Sequence, residues 1–352
     1  MSDIIEHFQR QAAACSSLGS PFTAELLERA AADMRAGGVV ARLLGDWPGK
    51  PQADGLALRL AGGLHAAVLT GRCPALAEAY PASDSDWSME RVWPLAESFL
   101  VQEAAWMRGF LESPPQTNET GRATALTAAF LWLAARAPQP FHMLELGASA
   151  GLNLAWDTFA YLHPAWGRSN VRGPVIPTEV AGPAPDWRTI NVAQRAGCDQ
   201  NPLDLRDPEH WARLRAYVWA DQPARLARLE AAAKLALASG VTVETACAAD
   251  WSRARLAPGL AAGLTVVYHS VFLQYPPKPV RDALRVAIEA AGEGADADHQ
   301  LAWVRFEPEA ILGGRRASSI FWLNVVIWDE RGRREATLAD VDPHGRSLTW
   351  RG

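Results

Sequence analysis

The stretch from Leu144 to Leu154, LELGASAGLNL, brings together an acid, a turn of small residues and a hydroxyl. An apolar run, Phe141 to Leu146, leads into it and predicts a buried strand that passes through a tight turn into a helix. Small side chains at Gly147, Ala148, Ser149 and Gly151 let backbone N–H groups approach a ligand closely, or simply allow the turn. A helix start there adds a favourable position for polar or anionic groups. Glu145, just before the turn, suits a positively charged or hydroxyl-bearing ligand. Asn153 suits either a ligand contact or a local bond at the helix start.

The same residues fit a second chemistry. Gly147-Ala148-Ser149-Ala150-Gly151 satisfies G-x-S-x-G, and Asp342 and His344 follow in the acid-then-histidine order of α/β-hydrolases. That reading makes Ser149 an acyl-transfer nucleophile with His344 as its base. Such an elbow needs several strands before it, whereas residues 1–138 carry helical periodicity.

Further candidates lie at the ends of later predicted strands. Asp199 stands in AGCDQNP after a strand over Val192–Cys198, and Asp250-Trp251 follows a strand over Val241–Ala246. Tyr268, His269 and Ser270 end the strong apolar run from Leu264. That is the edge where open α/β sheets place ligands, so His269 or Tyr268 is a candidate for proton transfer and Ser270 for the substrate pocket. Gln274 and Tyr275 in the next loop, and His344 in DPHG, would rim the pocket or stabilise turns.

Elements must hold these residues in place. The first part reads as helices, among them a second helix starting at Ser20-Pro21 with Thr23 as a possible N-cap, and runs over Leu56–Leu69, Trp93–Leu111 and Thr120–Ala135. After Phe141 strands and helices alternate, which predicts a mostly parallel sheet with helices on both faces. Strands that follow one another near the end predict an antiparallel edge. The expected division is a helical domain over 1–138, serving as lid or scaffold, and an α/β domain over 139–352. A Pro/Gly-rich insertion falls at about 167–188.

With the order of these sites in hand, a resemblance appears. Glu145, Gly147 and Gly151 resemble motif I of the class I S-adenosylmethionine-dependent methyltransferases, with Ser149 in place of the middle glycine. The resemblance runs over residues 140–352. It implies a Rossmann-like, doubly wound fold and S-adenosylmethionine as cofactor, held at Glu145, Gly147, Ala148, Ser149, Gly151 and Asn153. It further implies Asp199 on the ribose hydroxyls, Asp250 beside the adenine with Trp251 stacking, and the end of the Leu264–Ser270 strand facing the reacting methyl. Asp199 lies farther from Gly147 than the roughly twenty residues usual in the related dinucleotide fold. The Pro/Gly-rich insertion must loop out to account for this; otherwise Glu179 is the alternative ribose ligand. LELGASAGLNL, AGCDQNPLDL, VYHSVFLQYPP and DPHGRSLTW together resemble, over essentially the whole chain, a bacterial family catalogued only as a domain of unknown function. That family implies a methyltransferase-like fold and no substrate.

Composition narrows the classes. The 352 residues are 49% hydrophobic and 21% charged, with a formal net charge of −5, so the chain can bury a sizeable core and carries no basic footprint for nucleic acid. No stretch approaches the ~20 apolar residues that span a bilayer. Four scattered cysteines form no C-x-x-C, so no metal is expected, and they suit the cytoplasm. The expected function is methyl transfer to a small or medium-sized molecule. The alternatives are a binder of S-adenosylmethionine or a nucleoside without transfer, and a serine hydrolase.

Overall fold

The computed structural model describes residues 1–81, 86–163, 166–168, 173–314 and 320–352. Packing divides the chain into two compact units, Met1–Thr117 with Leu205–Ala227, and Asn118–Asp204 with Arg228–Gly352. Against a division drawn at residue 138, the second unit thus also takes in residues 118–138, and residues 205–227 pack with the first.

The first unit holds α1 (Ser2–Ser17), α2 (Pro21–Arg35), α3 (Val39–Leu44), α4 (Leu56–Leu69), α5 (Pro74–Ala79), α6 (Met89–Gln102) and α7 (Ala104–Glu112). Their apolar stripes meet in a core that includes Phe8, Phe22, Leu27, Leu44 and Leu64. The N-cap of α2 is Ser20 rather than Thr23: Ser20 Oγ accepts the Thr23 amide at 3.4 Å, because Pro21 already occupies the first helical position. The run expected as one helix over 93–111 is two, broken at Glu103, whose φ of −110° leaves the helical well.

The second unit begins with α8 (Ala123–Ala134) and β1 (Phe141–Leu146). There follow β2 (Ala160–His163), β3 (Gly167–Arg168), β4 (Val175–Pro177), β5 (Glu179–Ala181) and β6 (Val192–Asp199). The chain then crosses to the first unit for α9 (Pro208–Ala216) and enters α10 (Pro223–Ser239), which spans the division. The rest is β7 (Val243–Thr245), α11 (Ala248–Leu256), β8 (Gly263–Ser270), α12 (Lys278–Gly292), β9 (His299–Pro308), β10 (Phe321–Asp329), β11 (Gly332–Val341) and β12 (Ser347–Trp350).

Nine strands form one sheet in the order β5-β12-β11-β10-β9-β8-β1-β6-β7. The block from β7 to β9 is parallel; β9 to β12 run antiparallel, and β5 pairs parallel with β12. The fold is therefore α/β with a mostly parallel central sheet and a helical N-terminal region, compatible with a Rossmann-like architecture. Numbered along the chain, the parallel strands stand 3-2-1-4-5, and the order reverses between β1 and β8. Such a reversal opens a crevice beyond the carboxyl ends of the two strands.

Side-chain alternation sorts residues to the two faces of this sheet. Leu144, Leu146, Cys198, Val267 and Trp303 join Trp251, Leu284 and Ile288 of α11 and α12 in one core. On the other face Phe130 of α8 packs edge-on against Tyr268, with ring centroids 5.3 Å apart. Glu145 and Asp199 share that second face, because each is one residue out of phase with Leu144 and Cys198.

The chain after β1 departs from expectation. No α-helix follows the small-residue turn; a 3₁₀ run, Leu152–Thr158, is broken at Ala155 and leads directly into β2. Here the Leu154 amide bonds back to Gly151 O at 3.2 Å, and the Thr158 hydroxyl takes the Ala155 carbonyl at 2.7 Å. Those local bonds compete with the i→i−4 ladder. The Pro/Gly-rich segment is also not wholly irregular, since it supplies β4 and β5; its residues 169–172 lie outside the described ones. Among the described residues no helix is long and apolar enough to cross a membrane.

Candidate functional site

The turn after β1 carries three left-handed residues at alternate positions: Gly147, Ser149 and Gly151, with φ of 65°, 53° and 75°. Glycine enters that region freely, whereas serine does so seldom. Gly147 is further constrained, since a Cβ there would stand 2.5 Å from Cδ2 of Phe272. The Ser149 conformation is held by Asp199, whose Oδ2 accepts the Ser149 amide at 2.9 Å while Oδ1 accepts that of Asn201 at 2.9 Å. The Ala148 amide donates to Cys198 O at 3.0 Å, and the Leu203 amide to Ser149 O at 3.3 Å. Asp199 thus reaches the turn across a separation of 50 positions, because β6 lies beside β1.

Glu145 is 2% exposed and accepts the Tyr268 hydroxyl at 3.3 Å. Burial pushes its carboxyl up to about 8; the Tyr268 hydrogen bond opposes the shift, and the charge of Asp199 adds to it. Burial, with Glu145 second, also holds the Tyr268 phenol well above its ordinary range, so Tyr268 remains a donor. Two further polar atoms in the turn are buried without a hydrogen-bond partner among the described residues, Ser149 Oγ and Asn153 Oδ1.

The segment Asn118–Arg122, which the sequence reading missed as part of the site, is buried along its whole polar length. Asn118 Oδ1 accepts the Leu152 amide at 2.9 Å, and Asn153 Nδ2 donates to Glu119 O at 3.4 Å. Arg122 donates from Nε to Pro343 O at 2.9 Å and from Nη1 to Ser270 O at 3.3 Å. The DPHG turn comes close enough to the segment that a Cβ on Gly121 or Gly345 would strike the opposing backbone. The available signal was a run of polar residues immediately before an apolar helix, with one glycine in each of two segments that touch.

The structure therefore gathers the β1 turn, Glu145, Asp199, Tyr268, Ser270 and the turn bearing His344 at the carboxyl ends of β1 and β8. It does not gather the others. His269 is fully buried on the opposite face, with Nδ1 2.7 Å from Glu307 Oε1 and Nε2 accepting the Trp303 indole N–H at 3.1 Å. Nδ1 therefore carries the proton, and neither ring nitrogen is open to a substrate. Asp250 is exposed on α11 and paired with Arg253 at 2.8 Å. Trp251 fills the core on the face away from Glu145, so it offers no adenine platform there. Gln274 and Tyr275 are exposed in the loop after β8. Glu179 lies on β5 at the far edge of the sheet, paired with Ser347, and is no substitute for Asp199.

The described contacts of Ser149 and Asp342 are not those of a triad. Ser149 Oγ has no hydrogen-bond partner among the described residues, and Asp342 is engaged by the amides of His344 and Arg346 and by the Arg346 guanidinium. The acid thus holds its own turn. Among the described residues no group of three or more His, Cys, Asp or Glu could hold a metal ion.

No curated protein and no solved structure matches the chain. One family does, over residues 5–350, and the chain accordingly belongs to DUF2332, described as an uncharacterized protein conserved in bacteria.

Proposed function

We propose that the crevice between β1 and β8 binds S-adenosylmethionine and passes its methyl group to a small or medium-sized molecule. The observation that carries this reading is the arrangement at the strand-order reversal. A turn of three left-handed residues lies there with two acids, Glu145 and Asp199, on one face.

The residues fit the ligand by charge and by hydrogen bonding. A phosphate-bearing cofactor would meet the Asp199 carboxylate, a buried acid at Glu145 that a cation but not a phosphate would help to ionise, and a 3₁₀ run too short for the helix-terminus anion site of nucleotide folds. A ligand with ammonium, sulfonium and ribose hydroxyls suits those carboxylates, and its hydroxyl and ammonium donors suit the orphaned Asn153 Oδ1. When bound, the cofactor supplies an electrophilic methyl group. Glu145 and Asp199 would hold and orient the ligand, and the buried wall around Tyr268 would exclude water. Rate then comes chiefly from alignment of the acceptor with the methyl group. One observation favours binding without transfer: both ring nitrogens of His269 are engaged, which removes that residue as a base.

Calorimetric titration with S-adenosylmethionine and its demethylated product is the direct test. Binding at micromolar to sub-millimolar concentration is expected, and no heat at millimolar ligand would sink the reading. Methyl transfer to a metabolite pool then separates an enzyme from a binder. Asp199→Ala is expected to weaken binding by ~1–3 kcal/mol, because it removes the acid and releases the Ser149 amide together. Unchanged affinity would exclude Asp199 from the ligand site.

A further inference from the structure

We propose that Glu307 is a positioning residue for this crevice: its carboxylate fixes the loop after β8 so that Phe272 seats against Gly147. The inference deepens the reading above and rests on it for the identity of the ligand.

Glu307 lies near the end of β9 and is fully buried. One oxygen, Oε1, meets three N–H groups: His269 Nδ1 at 2.7 Å, the Phe272 amide at 2.7 Å and the Leu273 amide at 3.1 Å. Between them lies Val271, with φ of 55°. A β-branched residue in that region is a true backbone outlier, and such strain persists only where surrounding contacts over-determine it. Those contacts are the Glu307 clamp and the Val271 amide, which donates to Phe306 O at 2.7 Å. The strained turn delivers the Phe272 ring to Gly147, at the ligand-facing turn after β1. Glu307 touches no part of the proposed ligand site itself. It acts through Phe272, while His269 and Trp303 fix the direction of its carboxylate.

The test compares the full chain with Glu307→Ala, Glu307→Gln and Phe272→Ala, using amide hydrogen exchange and S-adenosylmethionine titration. Glu307→Ala is expected to speed exchange at Phe272 and Leu273 at least tenfold and to speed it at Ala148–Ser149 as well, while the β10–β11 hairpin stays protected. The Kd for S-adenosylmethionine is expected to rise about tenfold. Glu307→Gln keeps an oxygen for the three donors and should restore each quantity to within about threefold. Phe272→Ala should loosen only the β1 turn and the ligand, leaving the 272–273 amides protected, and it serves if Glu307→Ala fails to fold. Unchanged exchange at Ala148–Ser149 in both alanine variants overturns the inference. If the wild-type chain binds no S-adenosylmethionine, the proposed function fails, and exchange at the β1 turn alone still decides the role of Glu307.

Discussion

Glu145→Gln is expected to stabilise the unliganded protein, and to do so more strongly as the pH rises. The unfolded chain titrates this carboxyl near 4.5, and the folded chain near 8, chiefly through burial. A pKa raised on folding means that the folded state binds the extra proton between these values. The protonated carboxyl's contribution is therefore fully present below pH 4.5, falls by about 1.4 kcal/mol per pH unit above it, and is gone once pH passes 8. Glutamine has no such dependence and keeps an oxygen for the Tyr268 hydroxyl. The two proteins should melt together near pH 4.5 and diverge by roughly 3–5 kcal/mol at pH 8. At ~2–4 °C per kcal/mol for a domain of this size, thermal melts would separate by about 10 °C. A constant difference between about pH 5 and about pH 8 would show that the carboxyl is solvated or paired.

The direction of that effect bears on function. A buried acid that destabilises the empty protein at neutral pH is kept for some reason other than stability. A cationic ligand group beside Glu145 would favour its ionised form, recover the lost stability and release a proton on binding. On the proposed reading the stabilised Glu145→Gln protein should therefore bind S-adenosylmethionine more weakly.

Much of the frame was readable because parallel strands buried on both faces leave continuous apolar runs. Phe141–Leu146 and Leu264–Ser270 were visible for that reason, and the alternation of strands and helices after Phe141 predicted a mostly parallel sheet. The small residues of Gly147–Gly151 also predicted the tight turn after β1. What failed depended on distance or on phase. His269 and Tyr268 are neighbours in one strand, and an all-apolar strand gives no alternation to say which of them faces the crevice. The 3₁₀ run after Gly151 is set by its local bonds together with contacts to Asn118 and Glu119, thirty-four positions away. The segment Asn118–Arg122 drew no site reading, because nothing in its own residues shows that it is buried. Its partners, Ser270 and Pro343, lie 148 and 221 positions farther along the chain than Arg122. Glu179 was the alternative ribose ligand because it lies nearer Gly147 in the chain than Asp199 does, and only the sheet order sends it to the opposite edge.

Arg122→Met should produce the second large effect, a loss of about 3 kcal/mol. The guanidinium joins Ser270 O and Pro343 O, two carbonyls from segments far apart in the chain, and hydrogen bonds from a charged donor contribute ~1.5–3 kcal/mol each. Methionine keeps an apolar stem about as far as the Arg122 Nε, so much of the loss reports the guanidinium's hydrogen bonds. Arg122→Lys should recover less than half of it, since one ammonium cannot reproduce the fork that spans both carbonyls. Arg285→Met is the control: its pair with Glu289, at 2.8 Å, is half exposed and should contribute less than ~0.5 kcal/mol. Urea unfolding of the three variants separates these outcomes, and an Arg122→Met protein as stable as Arg285→Met would refute the bridge. The bridge also has a functional consequence. Arg122 follows closely on Asn118 and Glu119, which hold Leu152 and Asn153, so loosening it should disturb the β1 turn from the same segment. Arg122→Met should then lose ligand affinity under conditions where the protein remains folded, whereas the control should lose none.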